Sequence, residues 1–240
     1  MSAENIRQLS DRAKRMTRED LSKARLILEY AHESAQSLLE AFDEVRTARS
    51  EDSGDATEPE QDLLRAMLVF AAAGLDSMVK QLIRDSLSSL VETDEKVRQG
   101  LETYVTRQLR GEADEGANRT ANKFLARVLI SDSHQDQVIK EYINDLTAKS
   151  LQSPEELLKA SFALGLELTG QEINPNALRP IFGIRNRIIH ELDIDFNAPP
   201  RHRQQRDREA MVKFTNTLLE SCEIIFLGVA AKLDPLIGAA

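Results

Sequence analysis

The chain has 240 residues, of which 41% are hydrophobic and 30% are charged, proportions typical of a globular protein with a sizeable core. Its formal net charge of −9 argues against a protein that coats nucleic acid, because such proteins need excess lysine and arginine. The single cysteine, Cys222, excludes an internal disulfide, and its apolar neighbours predict a buried thiol. We see no apolar run of membrane-spanning length and no signal-peptide pattern, so a cytoplasmic protein without membrane contact is expected.

Apolar side chains recur at three- and four-residue intervals, and glycine and proline are scarce, so the sequence predicts an all-α fold. A first long helix is expected to end near Ala48, within an N-terminal helical segment of residues 1–49. Residues 50–60 are acidic and lack large apolar side chains, which predicts an exposed acidic linker. A helical domain is then expected over residues 61–240.

The helical domain is expected to begin with its most apolar helix, which we place at the centre of the fold. Ser153, followed by a proline and a glutamate three residues on, is a strong helix-start signal. A glycine-bounded turn is expected at 111–116, and a proline-containing loop at 196–206. Helices are predicted over residues 61–90, 94–110, 118–130, 135–149, 154–168, 176–193 and 208–233.

The segment Gly183–Asp193 carries the residue types best suited to catalysis. An arginine can hold a phosphate through two hydrogen bonds, and a histidine can move a proton near neutral pH. On a helix, Asn186 and His190 share one face, whereas Arg185 lies about 140° around the axis from His190. These three side chains border the packed face, and we expect them to line a cleft or an interface.

An apolar stripe and two carboxylates lie close to Arg185, Asn186 and His190 in the sequence. Ile184, Ile188 and Leu192 form a stripe that is predicted to face the core. Glu191 and Asp193 follow closely, and carboxylates near the site would repel an RNA backbone and raise the pKa of the histidine. The helix is therefore expected to present an apolar side and a mixed polar side.

The spacing of arginine and histidine does not by itself identify a site. An arginine followed by four to six residues and a histidine also occurs at Arg25 and His32, and at Arg127 and His134. A structural polar cluster is the alternative interpretation of any such pair. Arg185 differs from the other two arginines because an asparagine follows it directly and a basic segment comes after its histidine.

That basic segment is a local exception in an acidic chain. From Arg179 to Lys213 there are eight lysines and arginines against five aspartates and glutamates. Arginine side chains at such a position can steer RNA phosphates towards a site, and a solvated helix-entry segment without a ligand is an equally weighted alternative. The candidate RNA-binding residues are Arg187, Arg201, Arg203 and Arg206.

The string Arg185-Asn186-Arg187-Ile188-Ile189-His190 resembles the Arg-Asn-x-x-x-His signature of the HEPN superfamily. Residues 72–82 are also similar to the earlier long helix in HEPN branches found near defence and toxin loci. The resemblance covers residues 60–233. It implies a HEPN-like helical bundle, to which this chain adds a long N-terminal helix.

The resemblance implies a metal-independent endoribonuclease of a bacterial toxin or antiviral defence system, needing no cofactor and acting at a composite site of a homodimer. His190 would transfer the proton for attack by the RNA 2′-hydroxyl, and Arg185 would stabilise charge on the scissile phosphate. Asn186 would orient the phosphate or the imidazole. The expected products are a 2′,3′-cyclic phosphate and a 5′-hydroxyl, and a cognate antitoxin or another defence-system protein is an expected partner.

A non-catalytic function stays open beside the nuclease hypothesis. HEPN members that have lost nuclease activity serve as binding scaffolds, so a helical binding or scaffold protein, or an antitoxin, fits the same sequence. Other enzyme classes find little support, since the sequence lacks phosphate-binding glycine loops and a nucleophile elbow. Its four histidines have no metal-ligand spacing, so no metal site is expected.

Overall fold

A computed structural model describes residues 4–49, 54–110, 115–168 and 172–234. Within these ranges the chain is helical apart from turns, loops and one two-stranded antiparallel pair, which confirms the all-α prediction. Residues 111–114 of the turn expected at 111–116 and residues 50–53 of the expected linker lie outside the described residues, and Glu115 and Gly116 of that turn already belong to a helix. The elements are α1 (Asp11–Lys14), a 3₁₀ turn (Glu19–Leu21), α2 (Ser22–Ala48), α3 (Glu58–Thr93), α4 (Glu95–Arg110), α5 (Glu115–Ile130), α6 (His134–Thr147), α7 (Pro154–Ala163), α8 (Pro175–Glu191), β1 (Ile194–Asp195), β2 (His202–Arg203) and α9 (Arg208–Leu233).

Helix α3 is the centre of the fold, as its apolar content predicts. It is buried on several sides and packs against α2 and α9, while α4, α6, α7 and α8 contact it in turn. At the α2–α3 crossing, a Cβ on Gly74 would lie 2.4 Å from the Cβ of Ala31, so only glycine allows this close approach. The N-terminal helix α2 therefore packs into the same hydrophobic core as the rest of the chain.

Helices α3 and α9 are each long and apolar enough to cross a membrane by length and composition. This differs from the expectation that no run of that length is present. In both helices 56% of the most apolar 18-residue window is buried within the protein, where the two helices pack together. Burial in the core accounts for their hydropathy. Cys222 of α9 is among these buried residues, as predicted, and burial raises the pKa of its thiol.

The segment before α2 lies across α2 and α9 and is held by polar contacts. The backbone N–H of Arg7 donates to Asn216 Oδ1 at 2.8 Å, and the Arg7 guanidinium pairs with Glu223 at 3.1 Å. The Arg7 carbonyl lies 3.1 Å from Nδ1 of the buried His32. These contacts give the first residues a defined place on the helical core.

The predicted exposed linker over 50–60 is wrong at its C-terminal end, because Glu60 already belongs to α3 and is fully buried. Thr57 and Glu60 form a capping box, in which the Thr57 N–H donates to Glu60 Oε2 at 2.7 Å. Arg49 Nε lies 3.3 Å and Arg46 Nη1 3.7 Å from the same carboxylate. The buried charge is stable because two arginines from the end of α2 neutralise it.

Helix α7 is shorter than predicted, since it ends at Ala163 rather than near Leu168. Gly165 has a φ of 73°, and its N–H donates to the carbonyl of Phe162 at 2.9 Å. The N–H of Leu166 donates to the carbonyl of Ser161 at 3.0 Å. This pair of bonds is a Schellman motif, which ends a helix at a left-handed glycine.

Candidate functional site

Helix α8 carries the predicted catalytic residues, and its local sequence explains where it starts and how it packs. Asn174 caps the helix through its side chain, which accepts from the Asn176 N–H at 2.9 Å, and Pro175 takes the first helical position. The helix packs against α3, α7 and α9. Its buried residues are Leu178, Ile181, Phe182, Ile184 and Ile188.

The predicted apolar stripe is confirmed for Ile184 and Ile188 and wrong for Leu192, which is 64% exposed. The helix ends at Glu191, and Leu192 adopts a left-handed φ of 51°, so its side chain no longer follows the helical stripe. Such a conformation costs a residue with a Cβ roughly 1–2 kcal/mol. Helical periodicity could not place Leu192 because the helix no longer continues there.

Arg185 and Asn186 contact each other directly at the junction of α8 with the turn before α7. Arg185 Nη1 donates to Asn186 Oδ1 at 2.9 Å, and Asn186 Nδ2 donates to the Gln152 carbonyl at 3.2 Å. Arg185 Nε is buried and has no hydrogen-bond partner among the described residues. Asn186 therefore holds one end of the guanidinium, and the other donors of that guanidinium have no acceptor among the described residues.

His190 lies one helical turn beyond Asn186 and is exposed to solvent. It makes no hydrogen bond or ion pair with any residue in the described ranges, so its two ring nitrogens are open to a ligand. The same ranges contain no group of three His, Cys, Asp or Glu side chains that could hold a metal ion. The structure thus brings Arg185 and Asn186 into contact, and His190, one turn beyond Asn186, has no hydrogen bond to either of them.

The four candidate RNA-binding arginines have different surroundings. Arg187 is half-buried and Arg201 is exposed, and neither pairs with a carboxylate in the part of the chain that the structure describes. Arg203 donates to the Leu192 carbonyl at 2.9 Å and pairs with Asp62 at 2.6 Å. Arg206 forms two hydrogen bonds to a carboxylate of the α8–β1 turn. Two of the four are therefore already neutralised within the protein.

The other two Arg–His pairs differ from Arg185 and His190 in one respect. Arg25 pairs with Glu29, and Arg127 pairs with Glu141, so each of these arginines has a carboxylate partner. His32 is also buried, and that burial lowers the pKa of its imidazole. Of the three pairs, only the one at Arg185 combines an exposed histidine with an arginine that lacks a carboxylate partner among the described residues.

No protein-family model, curated protein or solved structure matches this chain. The resemblance to the HEPN superfamily therefore rests on the sequence alone, at Arg185–His190 and at residues 72–82. What these residues do must be inferred from their own geometry and chemistry.

Asp193 was expected to repel RNA, and the structure corrects this expectation. Asp193 is fully buried, and its carboxylate accepts from Arg206 Nε at 2.8 Å and Arg65 Nε at 3.2 Å. Two arginines neutralise the charge, so it presents no repulsive surface to a phosphate. Its left-handed φ of 61° and the bond from its N–H to the Arg187 carbonyl direct the side chain under the end of α8.

Asp193 belongs to a larger set of ion pairs, here called the Asp193 network. Arg65 is 2% exposed, pairs with Asp62 at 2.9 Å and Glu58 at 3.2 Å, and donates to the Gln204 carbonyl at 2.8 Å. The network joins α3, the turn after α8, β2 and the segment between β2 and α9. Its members are Glu58, Asp62, Arg65, Asp193, Arg203 and Arg206.

The Asp193 network also changes the acidity of its outer members. The hydrogen bond from Arg203 is the main cause that lowers the pKa of Asp62 from 3.8, and the same bond raises the pKa of Arg203. Both groups stay charged at neutral pH. Arg203 is therefore held by an ionised partner and is less available to a phosphate than Arg201 or Arg187.

Sequence analysis did not identify Arg65 or Gln61, although these two residues position the end of α8. The Gln61 amide donates to the Arg206 carbonyl at 3.1 Å and accepts from the Arg206 N–H at 2.7 Å. Gln61 and Arg65 lie four residues apart in the first turns of α3. That spacing places two long polar side chains on one face and is the signal that points to a buried polar contact.

Proposed function

We propose that this protein is a metal-independent endoribonuclease in which Arg185, Asn186 and His190 form the catalytic site. The observation that carries the proposal is that Arg185 has no carboxylate partner among the described residues, on a helix that also carries the exposed His190. A guanidinium without an internal counterion attracts an anion, and an RNA phosphate matches its fork of donors. The resemblance to the HEPN superfamily supports RNA as the substrate.

In the proposed reaction, the 2′-oxygen of the RNA attacks the adjacent phosphorus and forms a new O–P bond. Neutral His190 accepts the proton of the 2′-hydroxyl, since an imidazole is a base near neutral pH. The bond from phosphorus to the 5′-oxygen breaks, and that oxygen takes up a proton. Arg185 stabilises the negative charge that builds on the phosphoryl oxygens. The products are a 2′,3′-cyclic phosphate and a 5′-hydroxyl.

A homodimer fits this chemistry because two proton transfers are needed and each chain supplies one copy of His190. With two copies across a shared groove, one imidazole accepts the proton of the 2′-hydroxyl while the other donates to the leaving 5′-oxygen. Ile189 and Leu192 beside His190 are exposed apolar side chains, which supports protein contact at this end of α8. Asn186 then acts as a positioning residue through its bond to Arg185.

The test is cleavage of total RNA and transfer RNA in EDTA by the wild-type protein, His190→Ala and His134→Ala. His134 is exposed at the start of α6 and is the matched control. We expect His190→Ala to lose about 100-fold or more of the activity, because general acid–base groups contribute that much, and His134→Ala to keep it. Equal activity of His190→Ala and wild type, or a strict need for a divalent metal, contradicts the proposal.

A second measurement examines the nucleophile. An oligonucleotide with a 2′-deoxy sugar at the cleaved position lacks the attacking group, so cleavage there should stop. Mass spectrometry of the products from the all-ribose substrate should show a 2′,3′-cyclic phosphate end. Cleavage of the 2′-deoxy substrate at the same bond would exclude 2′-hydroxyl attack.

We further propose a cytoplasmic toxin or antiviral defence role with a cognate antitoxin or another defence protein as partner. The alternative is a non-catalytic binding, antitoxin or scaffold protein. Its support is that Arg203 and Arg206 are neutralised and His190 has no group holding its ring among the described residues. Growth separates the two: expression of a nuclease should arrest growth unless His190 is changed to alanine, whereas an antitoxin or scaffold should be harmless and co-purify with a protein partner.

A further inference from the structure

We propose that Phe196 and Arg201 form a stacking platform for a base of single-stranded RNA beside the catalytic site. The inference rests on the proposed function for RNA as the ligand. It adds a substrate class, single-stranded rather than duplex RNA, and it gives Arg201 a stacking contact in addition to a phosphate contact. Phe196, which the sequence placed only in a loop, becomes a binding residue.

The platform is built on the short hairpin that follows α8. Ile194 pairs with Arg203 and Asp195 with His202, so the residues next to this pair, Phe196 and Arg201, face each other across the hairpin. The guanidinium carbon of Arg201 lies 5.7 Å from the centre of the Phe196 ring. This distance is that of a cation–π contact, in which the guanidinium lies over one face of the ring. A base can then stack on the other face of Phe196 or on the outer face of the Arg201 guanidinium.

The base of the hairpin is anchored by hydrogen bonds. The N–H of Gln204 donates to the Asp193 carbonyl at 2.9 Å, and Arg203 Nε donates to the Leu192 carbonyl at 2.9 Å. At the other strand, Asp195 Oδ1 accepts from the Asn197 N–H at 2.9 Å. The Asp193 network therefore holds the hairpin against the end of α8, and a platform held in this way loses little conformational entropy on binding.

Phe196 and Arg201 are both open to solvent. Phe196 is 53% exposed, and Arg201 is exposed and has no carboxylate partner in the described part of the chain. Arginine planes and exposed aromatic rings are the groups on which splayed RNA bases stack, and the arginine charge also attracts the phosphate backbone. Bases of a duplex are already stacked on each other, so the platform selects single strands.

The platform is close to the proposed catalytic residue along the chain. Phe196 follows His190 by six residues, and six extended residues span at most about 22 Å. The left-handed residues Leu192 and Asp193 turn the chain between them, so the true separation is shorter than the extended limit. One RNA strand can therefore reach both groups, with a base on Phe196 and the 2′-hydroxyl of a nearby nucleotide at His190.

The test measures the affinity of the full chain for a fluorescent 2′-O-methyl oligonucleotide, which cannot be cleaved by 2′-hydroxyl attack. We compare wild type, Phe196→Ala, Phe196→Tyr and Phe70→Ala; Phe70 is also 53% exposed, on α3, and is the matched control. Phe196→Ala should weaken binding about 5- to 100-fold, whereas Phe196→Tyr and Phe70→Ala should bind like wild type. No binding by the wild type, or equal affinity of Phe196→Ala and Phe70→Ala, overturns the inference.

An abasic oligonucleotide separates stacking from a change in fold. It keeps the phosphates and lacks the bases, so Phe196→Ala should bind it as the wild type does. An equal loss on both oligonucleotides would mean that the substitution acts through the fold, and it would overturn the inference. Arg201→Ala should weaken binding and reduce the salt dependence by about one counterion, which Phe196→Ala should not do.

The same variants distinguish this inference from the proposed nuclease function. If the protein binds the 2′-O-methyl strand through Phe196 but cleaves no RNA, the platform stands and the nuclease proposal fails. If RNA is cleaved but Phe196→Ala binds and cleaves like Phe70→Ala, the platform alone fails. Light scattering adds one more outcome: conversion of a dimer to a monomer by Phe196→Ala, with unchanged RNA affinity, would show that the hairpin is a protein interface.

Discussion

Two neighbouring regions of the chain, the motif at Arg185–His190 and the buried Asp193, differ in whether their arginines pair with a carboxylate. At the motif, Arg185 and Arg187 have no carboxylate partner among the described residues, and His190 is exposed beside them. A few residues later, Asp193 is fully buried between Arg65 and Arg206. Position in the sequence does not decide whether an arginine is neutralised. An arginine is neutralised only where folding brings a carboxylate from another part of the chain beside it.

The energetic consequences of the two regions are opposite. In the Asp193 network every charged group has a partner, and loss of one partner leaves an uncompensated charge in a buried place. At the motif the guanidinium of Arg185 makes one hydrogen bond, to Asn186, and its Nε is buried without an acceptor. The network is therefore expected to stabilise the fold, and the motif is expected to contribute little stability.

The largest effect is expected for Asp193→Asn. This change keeps the shape of the side chain but leaves Arg65 and Arg206 without their shared buried charge, so the free energy of unfolding should fall by about 3–5 kcal/mol. Urea unfolding followed by circular dichroism measures it. Glu191→Gln, an exposed change in the same turn, is the control and should alter stability by less than about 0.5 kcal/mol. Equal stability of the two variants would show that the network does not support the fold.

A smaller effect of opposite sign is expected for Leu192→Gly. Glycine adopts a left-handed φ without steric cost, and Leu192 is mostly exposed, so the variant should be about 1 kcal/mol more stable. The control is Ile189→Gly, which places glycine inside α8 and should destabilise by a similar amount. Thermal unfolding of both variants gives the comparison, and a destabilised Leu192→Gly would mean that Leu192 makes a contact that its exposure does not reveal.

A smaller change in the free energy of unfolding is expected from the ion pair of Asp62 and Arg203, and this change depends on pH. Because the folded pKa of Asp62 is lowered, its contribution is complete above its ordinary value of 3.8 and is lost as the pH falls through the lowered value. Arg203→Ala should raise the pKa of Asp62, because it removes the main cause of the lowered pKa. The stability change at neutral pH should be about 0.2–1 kcal/mol, since Asp62 is half exposed. An NMR titration of the Asp62 carboxyl in both proteins measures the shift, and an unchanged pKa contradicts the assignment.

The smallest stability effect is expected for Arg185→Ala. No described carboxylate depends on Arg185, so the free energy of unfolding should stay within about 0.5 kcal/mol of the wild type. Arg206→Ala, in contrast, removes a partner of the buried Asp193 and should cost several kcal/mol. Urea unfolding of the two variants side by side provides the measurement. A large loss of stability in Arg185→Ala would move Arg185 from the proposed site to the structural framework.

The positions of most helices were predicted correctly because the signals that start a helix and set its buried face lie within a few residues of each other. The last helix was predicted over 208–233 and is observed as Arg208–Leu233, and Ser153 caps α7 as its serine–proline–glutamate pattern predicts. Apolar spacing, capping side chains and first-turn prolines act over a few residues, so the sequence displays them directly. The helix end at Gly165 was missed because a Schellman motif depends on one left-handed residue, which apolar periodicity does not display.

The candidate site was predicted in part. Sequence reasoning placed Arg185, Asn186 and His190 on one helix and named four arginines for RNA contact, and their catalytic and binding roles stay predictions. It could not separate Arg203 and Arg206 from Arg187 and Arg201, because their carboxylate partners come from α3 and from the α8–β1 turn. It also expected Glu60 to be exposed, whereas the arginines that neutralise it lie at the end of α2.

By itself, the sequence determined the helical class, the order of the helices, the central place of α3 and the residues that share a face of α8. Only the tertiary structure decided which charges are neutralised, that Leu192 turns outwards, and that Phe196 and Arg201 face each other on a hairpin. The reason is physical. Helix formation and amphipathic packing depend on neighbours within a turn or two, whereas a charge is buried or left free by partners that folding brings from far along the chain.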